Sequence, residues 1–261
     1  MSHLTAALVG GAAGFSIFLG LPIARLKSIS KAVQGFLNAI ATGVLVFLIW
    51  DILSHGSAPV EMSLAPLRHG APTPFLVLLL IFTGGIAVGM MSLVYFNGLM
   101  IGRAKTAGQS EDSRRLAMAI ATGLGLHNLS EGLAIGQSVA TGAIAFAGVL
   151  VIGFALHNIT EGFGIAAPMA GGNRPSWSFL ALAGLIGGGP TFLGTIVGLF
   201  FSSPYLSVAF LALAAGALLW VINEMFSVSR KLNSPRALGW GLLTGFLVAY
   251  STDLLLTYLS V

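Results

Sequence analysis

Residues 126–136 read LHNLSEGLAIG, and residues 156–166 read LHNITEGFGIA. The two copies lie inside adjacent apolar runs, 115–138 and 142–169, joined only by the stretch around Ala140–Thr141–Gly142. A helix that crosses a bilayer takes about 20 mostly apolar residues, so each run predicts one crossing. Consecutive crossings run in opposite directions. The repeat is therefore expected to be antiparallel, with both polar centres near the middle of the membrane. Related segments placed in this way point to a midplane substrate site in transporters.

Six further runs of the same kind flank the pair: 4–24, 32–54, 74–101, 177–200, 205–227 and 237–259. The expectation is an all-α, polytopic membrane protein with eight transmembrane helices, formed as one domain over 1–261. Composition agrees. Hydrophobic residues make up 56% of the chain and charged residues only 8%, with a mean hydropathy of +0.94. A soluble domain carries about 25% charged residues, so a water-facing globular enzyme is excluded, and disorder is excluded by the same numbers. The runs are too long, and too free of period-2 alternation, for a β-barrel. Cysteine is absent, which removes disulfides, thiolate metal sites and cysteine nucleophiles. No basic residue precedes the first run, unlike a cleaved signal peptide.

A sequence pI near 9.8 raises the question of nucleic acid. The location of the charges answers it. Arg25, Lys27 and Lys31 fall between spans one and two; Arg103, Lys105, Arg114 and Arg115 between three and four; Arg174 between five and six; Arg230, Lys231 and Arg236 between seven and eight. Alternate loops thus hold eleven of the twelve Lys and Arg residues, and only Arg68 falls on the other side. By the positive-inside rule the basic loops face the cytoplasm and both termini are extracytoplasmic. The partner is a lipid bilayer, not nucleic acid. The expected location is the cell (inner or plasma) membrane, with multiple passes. The outer stretch 55–73 is the longest polar connection on this reading.

Of the eight acidic residues, Glu61, Glu111 and Asp112 fall in loops. Asp51, Glu131, Glu161, Glu224 and Asp253 fall inside spans. An ionised side chain at the helix centre costs about 2.5–3.5 kcal/mol on insertion scales, most acutely for Glu131 and Glu161. Helical spacing explains why they are kept. His127 and Glu131 are four apart and share one face, and so do His157 and Glu161. Asn128 and Asn158 sit at the edge of those faces. If the faces meet, two imidazoles and two carboxylates converge, flanked by two amides. Imidazole suits zinc and other transition metals, and carboxylates admit Mn²⁺ or Fe²⁺. Two carboxylates and one dication sum to zero charge, which removes most of the cost of burial. A plain interhelical hydrogen bond is the competing explanation for a single copy; two copies at depth favour a site.

HNLSEG at 127–132 and HNITEG at 157–162 resemble the paired helix-four and helix-five signatures of the ZIP family of zinc/iron permeases, in a short member of bacterial or archaeal type. The resemblance implies transport of divalent metal ions into the cytoplasm, with Zn²⁺ the first expectation and Fe²⁺ or Mn²⁺ as alternatives. It implies a primary metal site of His127, Glu131, His157 and Glu161, and an adjacent one that shares the glutamates and adds Asn128 and Asn158. It further implies spans one, four, five and six moving against two, three, seven and eight, and a homodimer. No catalytic cofactor is implied, and no enzymatic activity.

The chain departs from that pattern in four places. Ser130 and Thr160 stand where many relatives have proline, and a hydroxyl there is expected to bond back to a carbonyl. Gly189 precedes Pro190 where relatives carry a glutamate, so a third carboxylate is missing. Leu45 takes the place of a methionine. The histidine-rich cytoplasmic loop is absent. One principal metal site is the expectation.

Asp51 and His55, with Glu61 and His69, read as a solvated cluster that is able to gather cations at the outer end. Glu224 is expected to pair with Arg230 or Lys231, and Met90 and Met91 to pack in the core. Pro168 and Pro190 are candidates for bends. Two rival functions share the same residues. An intramembrane zinc hydrolase lacks both an HExxH motif and a spare general base. A metal-binding membrane protein that does not transport is distinguished only by flux.

Overall fold

In a hydrocarbon layer each backbone N–H and C=O must find its partner within the segment itself, and this chain meets that demand with helices. The computed structural model describes the whole chain except residues 27–29, 103–108, 171–173, 202 and 261; the side chains of 99–102, 109–111, 256 and 259–260 are likewise outside the description. The helices are α1 (His3–Phe15), α2 (Lys31–Met62), α3 (Leu64–Arg68), α4 (Thr73–Gly102), α5 (Gln109–Ala140), α6 (Ile144–Ala166), α7 (Trp177–Phe200), α8 (Pro204–Leu232) and α9 (Pro235–Ser260). Two 3₁₀ segments follow α1 and one follows α6, and among the described residues there is no strand.

Apart from the short α3, these helices coincide with the eight expected spans. Seven of the eight, with α1 counted together with the 3₁₀ turns that carry it on to Arg25, are long and apolar enough to cross a membrane, as in a multi-pass membrane protein. The exception is α5. Its composition is diluted by Arg114 and Arg115 at one end and by His127, Asn128, Ser130, Glu131, Gln137 and Ser138 within. Those interior polar groups are mostly buried, so α5 places its polarity against other helices and not towards lipid. The large apolar residues of α4 and α9, among them Leu80, Val88, Trp240 and Leu255, face outward instead.

Three expectations need correction. Residues 55–73 do not form a polar loop, because α2 continues to Met62 and α3 follows at once. Ser57 Oγ donates to Glu61 Oε1 at 2.9 Å within that extension, and the helix continues through Pro59 in its last turn. The first span is not one continuous helix. After Phe15 the backbone tightens into 3₁₀ turns over Ser16–Leu19 and Leu21–Arg25, because Pro22 lacks an N–H and its ring obstructs the preceding turn. Met90 and Met91 are exposed at 38% and 41%, so they face outward and are not core residues. Lys27, Arg103 and Lys105, used above to orient the chain, lie outside the described residues.

Other expectations hold in detail. The α5–α6 connection is as short as the sequence suggests, and Gly142 turns it with φ +82°, a left-handed conformation that glycine adopts without strain. Pro168 sits in the 3₁₀ turn that ends α6, and Pro190 lies inside α7.

Glycine sorts the helices into two groups. Gly14 on α1 lies against the Gly188 carbonyl of α7. Gly132 and Gly136 on α5 lie against the Thr191 and Thr195 carbonyls of α7, and Gly162 on α6 against the Ile17 carbonyl. Gly43 on α2 meets the Leu242 carbonyl of α9, and Gly89 on α4 the Leu213 carbonyl of α8. Such contacts bring backbones together as closely as helices pack. They occur within α1, α5, α6 and α7, and within α2, α4, α8 and α9. Across the boundary the tight neighbours of Gly123 and Gly164 are side chains, Val221 and Leu93 for the first and Met225 for the second, and the Ala217 carbonyl lies 3.9 Å from the Gly123 Cβ position, an ordinary contact. The two groups therefore interlock within themselves and meet along a softer, side-chain seam.

Candidate metal centre

The repeated motifs come together in the middle of the first group. His127, Asn128, Glu131, His157, Asn158 and Glu161 are all buried, none more than 7% exposed. Their placement follows from the helical period. On α5, His127 and Glu131 stack one turn apart, with Nε2 to Oε1 at 3.3 Å. From α6, Glu161 brings its Oε1 to 3.7 Å from the same Nε2. His157 is buried in the same cluster, within electrostatic reach of Glu131 and His127. The hydroxyls behave as expected: Ser130 Oγ donates to the His127 carbonyl at 2.6 Å and Thr160 Oγ1 to the His157 carbonyl at 2.7 Å.

The asparagines lace the two copies together. The two hydrogens of Asn128 Nδ2 are shared among three acceptors, Asn158 Oδ1 at 2.8 Å, Glu161 Oε2 at 2.9 Å and the Gly187 carbonyl of α7 at 2.9 Å. Asn158 Nδ2 donates to the Ala13 carbonyl of α1 at 3.1 Å and to Glu131 Oε2 at 3.4 Å. Each asparagine thus holds the glutamate of the other copy. Sequence reasoning did not find the two backbone anchors. Gly187 lies in the turn before Pro190, and Ala13 lies where α1 gives way to 3₁₀ turns.

What remains unbonded defines the chemistry. Both ring nitrogens of His127 and of His157, Glu131 Oε1, Glu161 Oε1 and Asn128 Oδ1 are buried without a hydrogen-bond partner. Buried polar atoms are nearly always paired, so each exception needs a reason. A neutral imidazole carries one N–H and one lone pair, so the seven orphans offer five lone-pair donors, one from each residue, and these share one reason if they face a cation. Two ligands about 2.0–2.1 Å from a tetrahedral ion stand roughly 3.3–3.4 Å apart. The 3.3 and 3.7 Å separations around His127 Nε2 are close to that edge. Among the described residues no three His, Asp or Glu side chains are closed around a common point.

Elsewhere the acidic residues have local partners. Asp51 pairs with His55 at 3.3 Å in the second half of α2, with the imidazole exposed and the carboxylate half-buried. Asp253 of α9 lies within electrostatic reach of both, a neighbour invisible in a sequence where α2 and α9 stand at opposite ends. Glu61 accepts from Ser57, and His69 is exposed. Arg230 and Lys231 act on Glu224 through space. Gly189 has open space where a Cβ would be, and Leu45 is packed in the core. Sequence reasoning also missed Asn38. This residue is fully buried between α2 and α8, donates to the Met225 carbonyl and Ser229 Oγ, and keeps Oδ1 unpaired.

No family model matches the chain, and no curated protein matches it.

Proposed function

We propose that the chain is a transporter of divalent transition-metal cations, of ZIP type, which takes its substrate from outside and delivers it to the cytoplasm. The observation that carries this reading is the set of unpaired nitrogen and oxygen atoms on His127, Glu131, Glu161, Asn128 and His157, buried together. A dication supplies a partner for one lone pair of each of these residues, and its charge balances the two carboxylates. Each glutamate has one oxygen engaged by an asparagine and one oxygen free, so it offers a single ligand atom. With imidazole alongside, that donor set suits Zn²⁺ or Fe²⁺ better than Ca²⁺, which takes six to eight oxygens.

The two glycine-locked helix groups support alternating access. A cluster held wholly by α5 and α6, anchored to α1 and α7, would move as one body along the side-chain seam with α2 and α8. On the positive-inside rule the basic loops are cytoplasmic and α5 and α6 run antiparallel, so the cluster sits near the midplane. The cation exchanges water for the histidines and glutamates on one side and is released on the other.

The test is uptake of Zn²⁺ into proteoliposomes carrying wild type or the double variant Glu131→Ala, Glu161→Ala. Saturable uptake by wild type and background flux in the variant is the expected result. Equal saturable uptake by both removes the assignment.

A further inference from the structure

Asn128 and Asn158 occupy equivalent places in the two motifs, and sequence treats them alike as ligands. Their surroundings do not. Three acceptors face Asn128 Nδ2, and two face Asn158 Nδ2: the Ala13 carbonyl and Glu131 Oε2. Nitrogen and oxygen of an amide are assigned from such networks, and here only one assignment works. Turning either amide over would set its oxygen against carbonyl and carboxylate oxygens. The oxygens then differ. Asn128 Oδ1 is buried and unpaired, whereas Asn158 Oδ1 already accepts from Asn128 Nδ2.

We infer that Asn158 is a positioning residue and not a ligand: its Nδ2 fixes Glu131, across the repeat, so that Oε1 alone is offered to the cation. The inference rests on the transporter reading for the identity of the cargo. The crossed hydrogen bond, Asn158 Nδ2 to Glu131 Oε2 at 3.4 Å, does not depend on that identity. Asn158 ties Glu131 to the last turn of α1, so the carboxylate is referenced to that helix as well as to its own. Groups that orient a metal ligand typically contribute 10–100-fold in affinity.

Co²⁺ titration of the purified full-length chain in detergent, followed by its visible absorption, separates the two roles. Asn158→Asp keeps an oxygen in the same place, adds negative charge and removes only the N–H donors. A ligand would be improved by that change, and a positioning group is destroyed by it. Asn158→Asp and Asn158→Ala are both expected to bind Co²⁺ at least about tenfold more weakly than wild type, with shifted absorption bands. The added charge favours the cation, which makes the loss in Asn158→Asp the stringent result. Binding by Asn158→Asp as tight as wild type, or tighter, overturns the inference.

A second measurement covers a variant that does not fold. In cation-free protein, thermal unfolding of Asn158→Ala, Glu131→Ala and their double variant should be non-additive, because the two side chains are hydrogen-bonded to each other. Additive shifts overturn the inference. Failure of the underlying reading looks different: Glu131→Ala, Glu161→Ala would then bind Co²⁺ with the wild-type spectrum and affinity.

Discussion

Gly132, one residue after a glutamate of the cluster, lies so close to the Thr191 carbonyl of α7 that a methyl group would occupy the same space. Backbone cannot step aside as a flexible side chain can. Gly132→Ala is therefore expected to lose about 1–3 kcal/mol, the usual cost of overpacking. Gly148 on α6 has nothing within 4 Å of its missing Cβ, so Gly148→Ala should gain up to about 1 kcal/mol from helix propensity. Thermal midpoints in one detergent compare the two. Equal midpoints would show that α5 and α7 do not pack backbone to backbone.

Asn38 gives a graded test of the second helix group. Its Nδ2 donates to the Met225 carbonyl at 3.0 Å and to Ser229 Oγ at 2.7 Å. Asn38→Asp replaces that donor with an acceptor facing an acceptor, and should cost about 1–3 kcal/mol or more. Asn38→Leu removes the same bonds but also removes the unpaired Oδ1, so its loss should be smaller. A thermal midpoint lower for Asn38→Leu than for Asn38→Asp would contradict this account of the α2–α8 contact.

The order of these effects shows what sequence could and could not convey. Apolar runs of about 20 residues mark helices because the bilayer sets their length, and the eight long helices fall where those runs lie. The i,i+4 spacing of His127 with Glu131 is legible for the same reason, since one turn is a local property. Ser130 and Thr160 are local too, and both bond back within their own helix. Gly187 and Ala13 were not legible, because a backbone carbonyl carries no sequence signature and its availability depends on a nearby proline or a helix end. The difference between Asn128 and Asn158 was hidden as well. Identical residues in identical motifs diverge only once α7 and α1 are packed on opposite flanks. The polar stretch 55–73 misled because its Ser, Gly and Pro residues suggest a loop, while burial of Val60 against Leu78 and Val208 favours continued helix.

Removal of one carboxylate should disable the cluster as a whole. Glu131 Oε1 and Glu161 Oε1 both face His127 Nε2, so a cation held there depends on both at once. Glu131→Gln and Glu161→Gln are each expected to weaken Zn²⁺ binding by more than about tenfold, and the double variant by less than the product of the two. Thermal unfolding reads this without radioactivity or flux. Cation at about 100 times its dissociation constant stabilises a folded protein by roughly 2.7 kcal/mol. Wild type should show that upward shift, and at the same cation concentration the single variants should show about half of it or less. A shift of the same size in all three proteins would place the cation elsewhere.

Acidity should oppose the cation. Imidazole binds a metal only through an unprotonated nitrogen and a glutamate only as carboxylate, so protons and cation compete for the same lone pairs. Lowering the pH supplies the competitor, and affinity falls; raising it returns affinity until every ligand is deprotonated, where the curve is flat. On a plot of log affinity against pH, the slope equals the number of protons released when the cation binds. Wild type, with two histidines and two glutamates in the cluster, should show a slope of at least about one on the acidic side. His127→Ala removes the imidazole that faces both glutamates, so it should bind more weakly and with a shallower slope. Zn²⁺ titrations between pH 5 and pH 8, about the range in which histidine changes charge, supply both numbers. An affinity independent of pH across that interval would mean that neither imidazole nor carboxylate lone pairs hold the ion.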